Sequence, residues 1–373
     1  MNRLVQLKVI IRFLKQKYKY INVIVKNMLQ RLLILYFDRI TFPRLDDFKF
    51  NDNLLFFVLP KFYGNESKDK AVGIYQIVDP LRSYLNQIGS DKLIYLWHPD
   101  DNSNLFSILK FLKQVHASGP KKIIIDTPQF KSAKFKDFGI YTYCFLQKKY
   151  TIDFIQLGWD TLSEKWWNDI LLNSLHRTIL ILDNPLKKFV PETLIKSGKA
   201  IAVVPLFNLS QLSKVNAHRN IDFNFIGSVG SYRSYRNEYI DYISQLGYRS
   251  VIGNFDSRQE QFARNDFLSV LSNSKISINF SMTHSAEFQL KGRVWETMLS
   301  GSMLLEQENE QIKYFFTEGI HYISFSSKLE LRQKLVHYLK SNSDRIRIAN
   351  AGQARAIKLI KTSGILKYFM NQQ

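Results

Sequence analysis

Two short stretches of this sequence carry residue types suited to phosphate groups. The first runs Phe223-Asn-Phe-Ile-Gly-Ser-Val-Gly-Ser-Tyr-Arg-Ser-Tyr-Arg236, an apolar strand entering a turn of small residues and then a helix. Gly227, Ser228, Gly230 and Ser231 allow close backbone approach, and the following helix offers unpaired N–H groups at the positive end of its dipole. Arg233 and Arg236 add guanidinium forks that match a pyrophosphate. The spacing is neither that of a Walker A loop nor that of the dinucleotide fingerprint, so a simple tight turn is the alternative reading. The second stretch runs Gln289-Leu-Lys-Gly-Arg-Val-Trp-Glu-Thr-Met-Leu-Ser-Gly-Ser-Met-Leu-Leu-Glu306. It reads as a helix starting near Leu290 and ending at Gly301, which feeds the buried strand Ser302–Leu305. Lys291 and Arg293 fall in its first turn, where cations oppose the dipole and so suggest a compensating anion. Glu296 lies about one turn from each, and an exposed ion-paired face is the alternative.

The elements around these stretches alternate between short apolar runs and longer amphipathic ones, the pattern of βα units in a mostly parallel sheet. The expected fold class is therefore α/β. Strands are expected at Leu54–Leu59, Lys92–Trp97, Lys121–Asp126, Thr151–Leu157, Thr178–Asp183 and Ala200–Val204, with helices such as Ser103–His116 and Leu162–Asn173 between them. A second alternation has strands at Phe223–Ser228, Tyr248–Ile252, Lys275–Phe280, Ser302–Leu305 and His321–Phe325. Its helices are expected at about 234–246, 260–273, 289–299, 328–341 and 344–361. The polar stretch Asn208–Asp222 is the linker candidate. Three parts follow: a basic helical segment over 1–45, an N-terminal Rossmann-like domain over 46–207 and a C-terminal one over 208–373. Ligands of open α/β sheets sit outside the carboxyl ends of the strands, which places a site in a cleft between two such domains.

The motif order is also familiar. The strand-Gly-Ser turn followed by Arg, the Lys-Gly-Arg-x-x-Glu helix ending at Gly, the Leu-Leu-Glu strand, a helix near Phe315-Phe316 and the Ile-Ala-x-Ala-Gly run at Ile348–Gly352 together resemble the C-terminal domain of CgeB-like glycosyltransferases. Those are similar to the group-one retaining enzymes of the GT-B fold. The likeness covers roughly residues 220–360, whereas residues 1–200 share only the α/β alternation. It implies two Rossmann-like domains facing a cleft and a hexosyltransferase-like enzyme. Such an enzyme moves a sugar from a nucleotide-diphosphate donor to an acceptor hydroxyl, with no metal and no separate cofactor. Carried over residue by residue, Glu296 stands at the ribose-binding Glu, since a carboxylate accepts two hydroxyl donors at once. Lys291 and Arg293 stand near the diphosphate. Gly227, Ser228 and Arg236 stand on the phosphate side of the strand-turn pair, and Arg233 fits almost as well as Arg236. Trp295 replaces the usual Phe and is expected in the core. One departure concerns catalysis: the related enzymes often carry an acid eight positions before Glu296, where this chain has Phe288, with Glu287 adjacent. His98, His284 and Glu287 are the candidate catalytic groups; Asp126, Asp160 and Asp183 are further candidates for the base. The alternative function is a catalytically inactive GT-B shell acting as a binding or structural protein.

Charge bears on partners. The chain of 373 residues carries 52 Lys+Arg against 32 Asp+Glu, a formal net charge of +20. Nine of the basic residues lie in residues 1–40, opposed only by Asp38. Within that segment Leu4, Leu7, Ile11, Leu14, Tyr18, Ile21, Val25, Met28, Leu32 and Leu35 recur at steps of three and four, an apolar stripe if the segment is helical. Packing on the following domain is one expectation, and contact with an anionic membrane surface is another. No nucleic-acid reading module is recognisable, so no specific nucleic-acid partner is expected. The acceptor, whether glycan, lipid-linked or protein, is not named by any motif. One cysteine, Cys144, excludes an intramolecular disulfide, and the seven histidines show no metal-ligand spacing. Without an apolar run of about 20 residues or a secretory signal, the expected location is cytoplasmic, peripheral to the inner membrane face if the basic segment binds lipid.

Overall fold

The structure is a computed structural model that describes residues 28, 32, 34, 35, 37, 38, 48–59, 77–98, 107–126, 139–159, 161–164, 167, 178–207, 209, 218–227, 229, 233–254, 264–283, 286–362 and 364–370. Along the chain come β1 (Leu54–Val58), α1 (Asp79–Gln87), β2 (Leu93–Trp97), α2 (Ser107–Ser118), β3 (Lys122–Asp126), α3 (Gly139–Tyr150) and β4 (Asp153–Gly158). Next are β5 (Thr178–Ile181), α4 (Glu192–Lys196), β6 (Ala200–Ala202), β7 (Ile221–Gly227), α5 (Tyr235–Ser244), β8 (Ser250–Asn254), α6 (Arg264–Asn273) and β9 (Ser274–Asn279). The last are α7 (Gly292–Leu299), β10 (Met303–Gln307), α8 (Glu310–Lys313), β11 (Ile323–Phe325), α9 (Lys328–Lys340), α10 (Asn342–Lys361) and α11 (Gly364–Met370). Internal packing divides the chain into two compact units, one of residues 1–61, 92–155 and 172–177, the other of 62–91, 156–171 and 178–373.

In the first unit β1 lies between β2 and β3 and runs parallel to both, with Phe56 opposite Tyr95 on one side and Ile123 on the other. All five residues of β1 are buried, which is why it reads as an unbroken apolar run rather than an alternation. β4 starts here, where the Asp153 N–H donates to the Lys121 carbonyl at 3.1 Å. Phe111 of α2 and Leu146 and Tyr150 of α3 close the core over Phe56, Ile123 and Ile125. Most of the expected N-terminal helix lies outside the described residues, as does most of Leu162–Asn173. Among its described residues, Met28, Leu32, Ile34 and Leu35 are helical. Ile34 and Phe37 are buried in this core, Phe37 edge-on to Phe145 with ring centroids 6.0 Å apart, and Asp38 is ion-paired with Lys149. Met28, Leu32 and Leu35, three members of the stripe, are 59%, 59% and 49% exposed.

In the second unit β5 pairs in parallel with β6, and the end of β4 lies beside β5, its Gly158 carbonyl accepting from the Leu182 N–H at 3.0 Å. A second sheet has the order β8-β7-β9-β10-β11. All its paired strands are parallel, with Phe223 of β7 opposite Ser250 on one side and Ile276 on the other. Strand order reverses between β7 and β9, the doubly wound arrangement expected from the alternation. On one side Phe223, Phe225, Ile276, Met303 and Phe325 pack against Ile240, Leu331 and Leu335 of the helices. Elsewhere Trp295 of α7 is fully buried against Phe315 and Phe316, at 5.5 and 5.0 Å between centroids, as its replacement of a core Phe suggested. α9 begins with a capping box: the Ser327 hydroxyl accepts from the Glu330 N–H, and the Glu330 carboxylate accepts from Ser326.

The Ile348–Gly352 run has a steric reason. Ile348, Ala349, Gly352 and Ala356 are buried along α10, and a methyl group at Gly352 would come within 2.5 Å of the His321 carbonyl oxygen and 3.6 Å of Met298 Cγ. Glycine therefore lets α10 sit close to the turn before β11. Replacement by alanine, Gly352→Ala, is expected to lower stability by about 1–3 kcal/mol through overpacking. The measurement is the urea midpoint at unchanged m; an unaltered midpoint would mean that α10 moves aside without cost.

Candidate functional site

The carboxyl ends of β7, β9 and β10 meet in one buried polar cluster. β7 ends at Gly227, where a side chain would stand 3.1 Å from the Phe225 ring and 3.7 Å from Arg236 Nη1. Arg236, in the first turn of α5, is only 4% exposed, and its Nη2 donates to the Phe280 carbonyl at 2.8 Å. Its guanidinium lies 5.7 Å from the centroid of Phe280 and 5.8 Å from that of Tyr235. It therefore braces the end of β9 against the start of α5. Arg233 is partly exposed in the turn before α5.

Glu306, near the end of β10, is fully buried. Its carboxylate accepts from Asn279 Nδ2 at 2.7 Å, from the Ser281 hydroxyl, and from Asn309. Desolvation pushes this carboxyl up to about 7, against the opposing effects of those three donors and of the Arg236 charge. Asn309 also donates to the Gln289 carbonyl at 3.0 Å and caps α8 by accepting from the Gln311 N–H at 2.9 Å.

Residues 281–283 and 286–290, between β9 and α7, are bonded to one another. Gln289 N–H donates to the Ser281 carbonyl at 3.2 Å, Thr283 N–H donates to the Glu287 carbonyl at 2.7 Å, and Met282 and Phe288 form an antiparallel bridge. The exit is pinned to the loop after β5: the Leu290 N–H donates to the Asp183 carbonyl at 2.8 Å, and Gln289 Nε2 to the Asp183 carboxylate at 3.2 Å. That carboxylate also accepts from the Thr161 N–H and hydroxyl, at 3.0 and 2.8 Å, so Asp183, 1% exposed, acts as a brace. Glu287 is ion-paired with Lys188 at 2.5 Å. Lys291 then takes the N-cap position of α7 in extended conformation, and Gly301 at φ +72° ends the helix as expected. Arg293 stacks on the Phe267 ring with its Cζ 4.1 Å from the centroid, and its Nε lies 3.5 Å from Glu296 Oε2. Both side chains are partly exposed.

Of the sequence-derived candidates, Gly227 and Arg236 are brought together; Lys291, Arg293 and Glu296 share one end of α7; Glu287 sits on the loop leading to it. His98 follows β2 in the other unit, its Nδ1 3.1 Å from the Leu59 carbonyl oxygen. Ser228, His284 and Asp160 lie outside the described residues, as does the Asp126 side chain. Sequence reasoning gave no role to Glu306, Asn279, Ser281 and Asn309. The available signal was a carboxylate closing the apolar run Met303-Leu-Leu-Glu306. Among the described residues no group of three His, Cys, Asp or Glu side chains is arranged to hold a metal ion, and no helix is long and apolar enough to cross a membrane.

Comparison with known proteins places this geometry. Residues 209–370 match the family model described as glycosyl transferase-like. No curated protein sequence matches the chain. Among solved structures, Anabaena HepE in complex with UDP and glucose superposes with a TM-score of 0.52 at 11% identity, over 86% of this chain and 100% of that one. A glycosyltransferase from Rickettsia africae ESF-5 gives 0.53 at 11% identity, over 86% and 99%. An alpha-glucosyltransferase in complex with UDP and a 13-mer DNA gives 0.53 at 10%, over 82% and 95%. The fold is that of the GT-B glycosyltransferases, mixed α/β with parallel sheets. The motifs read from the sequence lie within the residues that match the glycosyl transferase-like model, and the comparisons do not reach the CgeB-like subdivision.

The buried acid generates a pH prediction. Because the Glu306 carboxyl sits above its ordinary value of 4.5, the folded chain keeps a proton between about pH 4.5 and about pH 7 that the unfolded chain has lost. Its contribution to stability is therefore present below that window and falls as pH rises through it. The urea midpoint of the wild type should drop from about pH 5 to about pH 8 more than that of Glu306→Gln, which has no carboxyl to ionise. Parallel profiles would show that Glu306 does not titrate there.

Proposed function

We propose that the chain transfers a sugar from a nucleoside-diphosphate donor to an acceptor hydroxyl, with the donor nucleotide held at the carboxyl ends of β7 and β9. The observation that carries this reading is the topology: strand order reverses between β7 and β9, where open α/β sheets bind ligands, and the glycine-ended β7 and the N-terminus of α7 both belong to that edge. UDP is the first probe, because the superposed Anabaena protein is in complex with it.

In this reading the small-residue turn after Gly227 and the first N–H groups of α7 face the diphosphate, with Lys291, Arg293 and Arg233 adding positive charge. As the glycosidic bond breaks, negative charge grows on the leaving diphosphate, and fixed cations and N–H dipoles stabilise it most at the transition state. Arg236, buried and bonded to Phe280, contributes charge from behind and holds the strand ends. Glu296 accepts the ribose hydroxyls. The anomeric centre becomes oxocarbenium-like, and the acceptor hydroxyl loses its proton to a base, with His98, His284 and Glu287 as candidates. Lys188 is ion-paired with Glu287 at 2.5 Å and fixes where its carboxylate points. A second reading, a binding protein on the same shell, draws on Phe288 at the position of the usual acid. Turnover of a UDP-sugar with released UDP separates the two.

Membrane association is the proposed setting. Nine basic residues in the first 40 and the exposed Met28, Leu32 and Leu35 suit an anionic lipid surface and a lipid-linked acceptor.

Two tests follow. Calorimetry with UDP should give micromolar binding that weakens by about 1–3 kcal/mol in Glu296→Gln, the loss of charged hydrogen bonds; undiminished affinity removes Glu296 from the site. Liposomes rich in phosphatidylserine should sediment the wild type and not the triple variant Met28→Glu, Leu32→Glu, Leu35→Glu. Equal sedimentation of both ends the membrane proposal.

A further inference from the structure

The last side chain of β7 belongs to Ile226, because Gly227 ends the strand. Alternation turns it to the face opposite Phe225, where it is buried together with Phe267 and Leu271 of α6. The Phe267 ring is thereby seated at the carboxyl end of β7. A cation from another helix lies on it: Arg293, in the first turn of α7, has its Cζ 4.1 Å from the ring centroid. One contact thus joins the start of the helix after β9 to a ring packed on the end of β7, and strand order reverses between those two strands.

We propose that Phe267 is a positioning residue for the donor site: its ring holds the Arg293 guanidinium at the carboxyl end of β7, where that guanidinium meets the diphosphate. The identity of the ligand rests on the donor reading; the stack does not. A cation in the first turn of α7 opposes the helix dipole, which drives a long side chain toward water. Two contacts oppose that drift. Glu296 Oε2 lies 3.5 Å from Nε at one edge of the guanidinium, and the ring covers its face. Stacking occupies the face rather than the edge, so the N–H groups keep the plane in which a phosphate takes two parallel bonds. An arginine held this way gives up less rotamer freedom when the ligand arrives, which is how a residue that does not touch the phosphate raises affinity.

Packing alone does not require an aromatic side chain here. The other buried members of the cluster, Ile226 and Leu271, are aliphatic, as are Leu268 and Val270 packed against it. None of these offers a face that attracts a guanidinium. Nor does the ring belong to the large aromatic core. Tyr239, Phe280 and Phe325 meet one another on the other face of the sheet, in the cluster of Phe225.

The experiment is calorimetry with UDP on the full chain, comparing Phe267→Leu, which keeps an apolar side chain, with Phe267→Tyr, which keeps the ring. The leucine variant should bind UDP about fivefold more weakly, and the tyrosine variant within about twofold of the wild type. The same Phe267→Leu change made in Arg293→Gln should weaken binding no further, because the ring acts only through that guanidinium. A ring that serves packing alone would weaken UDP equally in both backgrounds, and that result overturns the proposal, as does undiminished affinity in Phe267→Leu. A second arm needs no ligand. Urea midpoints of the wild type, both single variants and the double variant should be non-additive, with Phe267→Leu less costly once Arg293 is glutamine. Additive midpoints would mean that the stack holds nothing and overturn the proposal too. If the wild type itself does not bind UDP, the donor reading fails and takes this inference with it, whereas wild-type binding with additive variants removes Phe267 alone.

Discussion

Parallel strands wound from the middle outwards leave one place where successive connections leave on opposite faces of the sheet. In the C-terminal sheet that place lies between β7 and β9. The helices that follow β7 and β9 pack on different faces there, Ile240 of α5 in the cluster of Met303 and Leu305 and Val294 of α7 in the cluster of Leu304. Glycine ends β7, so no side chain projects from that strand end, and α7 starts at the same edge of the sheet. Everything assigned to the donor depends on that divergence.

The divergence has to be held open by polar groups, because the strand ends bury carbonyls and amides that water cannot reach. Arg236 serves the Phe280 carbonyl, Asp183 serves the Thr161 and Leu290 amides, and Gln311 joins Asn184 at 3.1 Å to the amide of Leu186. The loop after β5 and the loop after β9 are thereby stitched together inside one unit. Lys187, Phe189 and Ala286 in these loops all have positive φ, at 56°, 63° and 58°. Side-chain-bearing residues adopt that conformation at a cost, and it persists where neighbouring bonds over-determine it. The Lys188–Glu287 pair and the Asp183–Gln289 bond are such constraints.

Much of the framework was legible because buried parallel strands are written as local apolar runs. Each strand expected from sequence is present with its ends moved by at most two residues, as with Lys275–Phe280 against Ser274–Asn279. The helices α9 and α10 were equally plain, one starting at a Ser-x-x-Glu box and the other carrying a long apolar stripe. α1 and α3 were not read. α1 begins at Asp79-Pro80, a start signal that went unused, and the aromatic-rich Gly139–Tyr150 lacks a clean apolar face. The basic and small residues flanking the phosphate position could be found because they are contiguous. The polar cluster behind them could not, since Asp183 and Gln289 are 106 positions apart and Asn279 and Glu306 are 27 apart. Hydrogen bonds between distant elements leave no periodicity in a sequence.

The chain thus separates a charged front from a polar back. Lys291, Arg293 and the partly exposed Glu296 stand at the first turns of one helix, while Arg236, Asp183 and Glu306 are sealed behind and hold the loops that aim it. A crystal structure of the chain with bound UDP measures this arrangement most directly. The diphosphate should lie against the backbone that follows Gly227 and the first turn of α7, with the ribose hydroxyls on Glu296. UDP seated away from the carboxyl ends of β7 and β9, with Arg293 and Glu296 contacting only solvent, would contradict it.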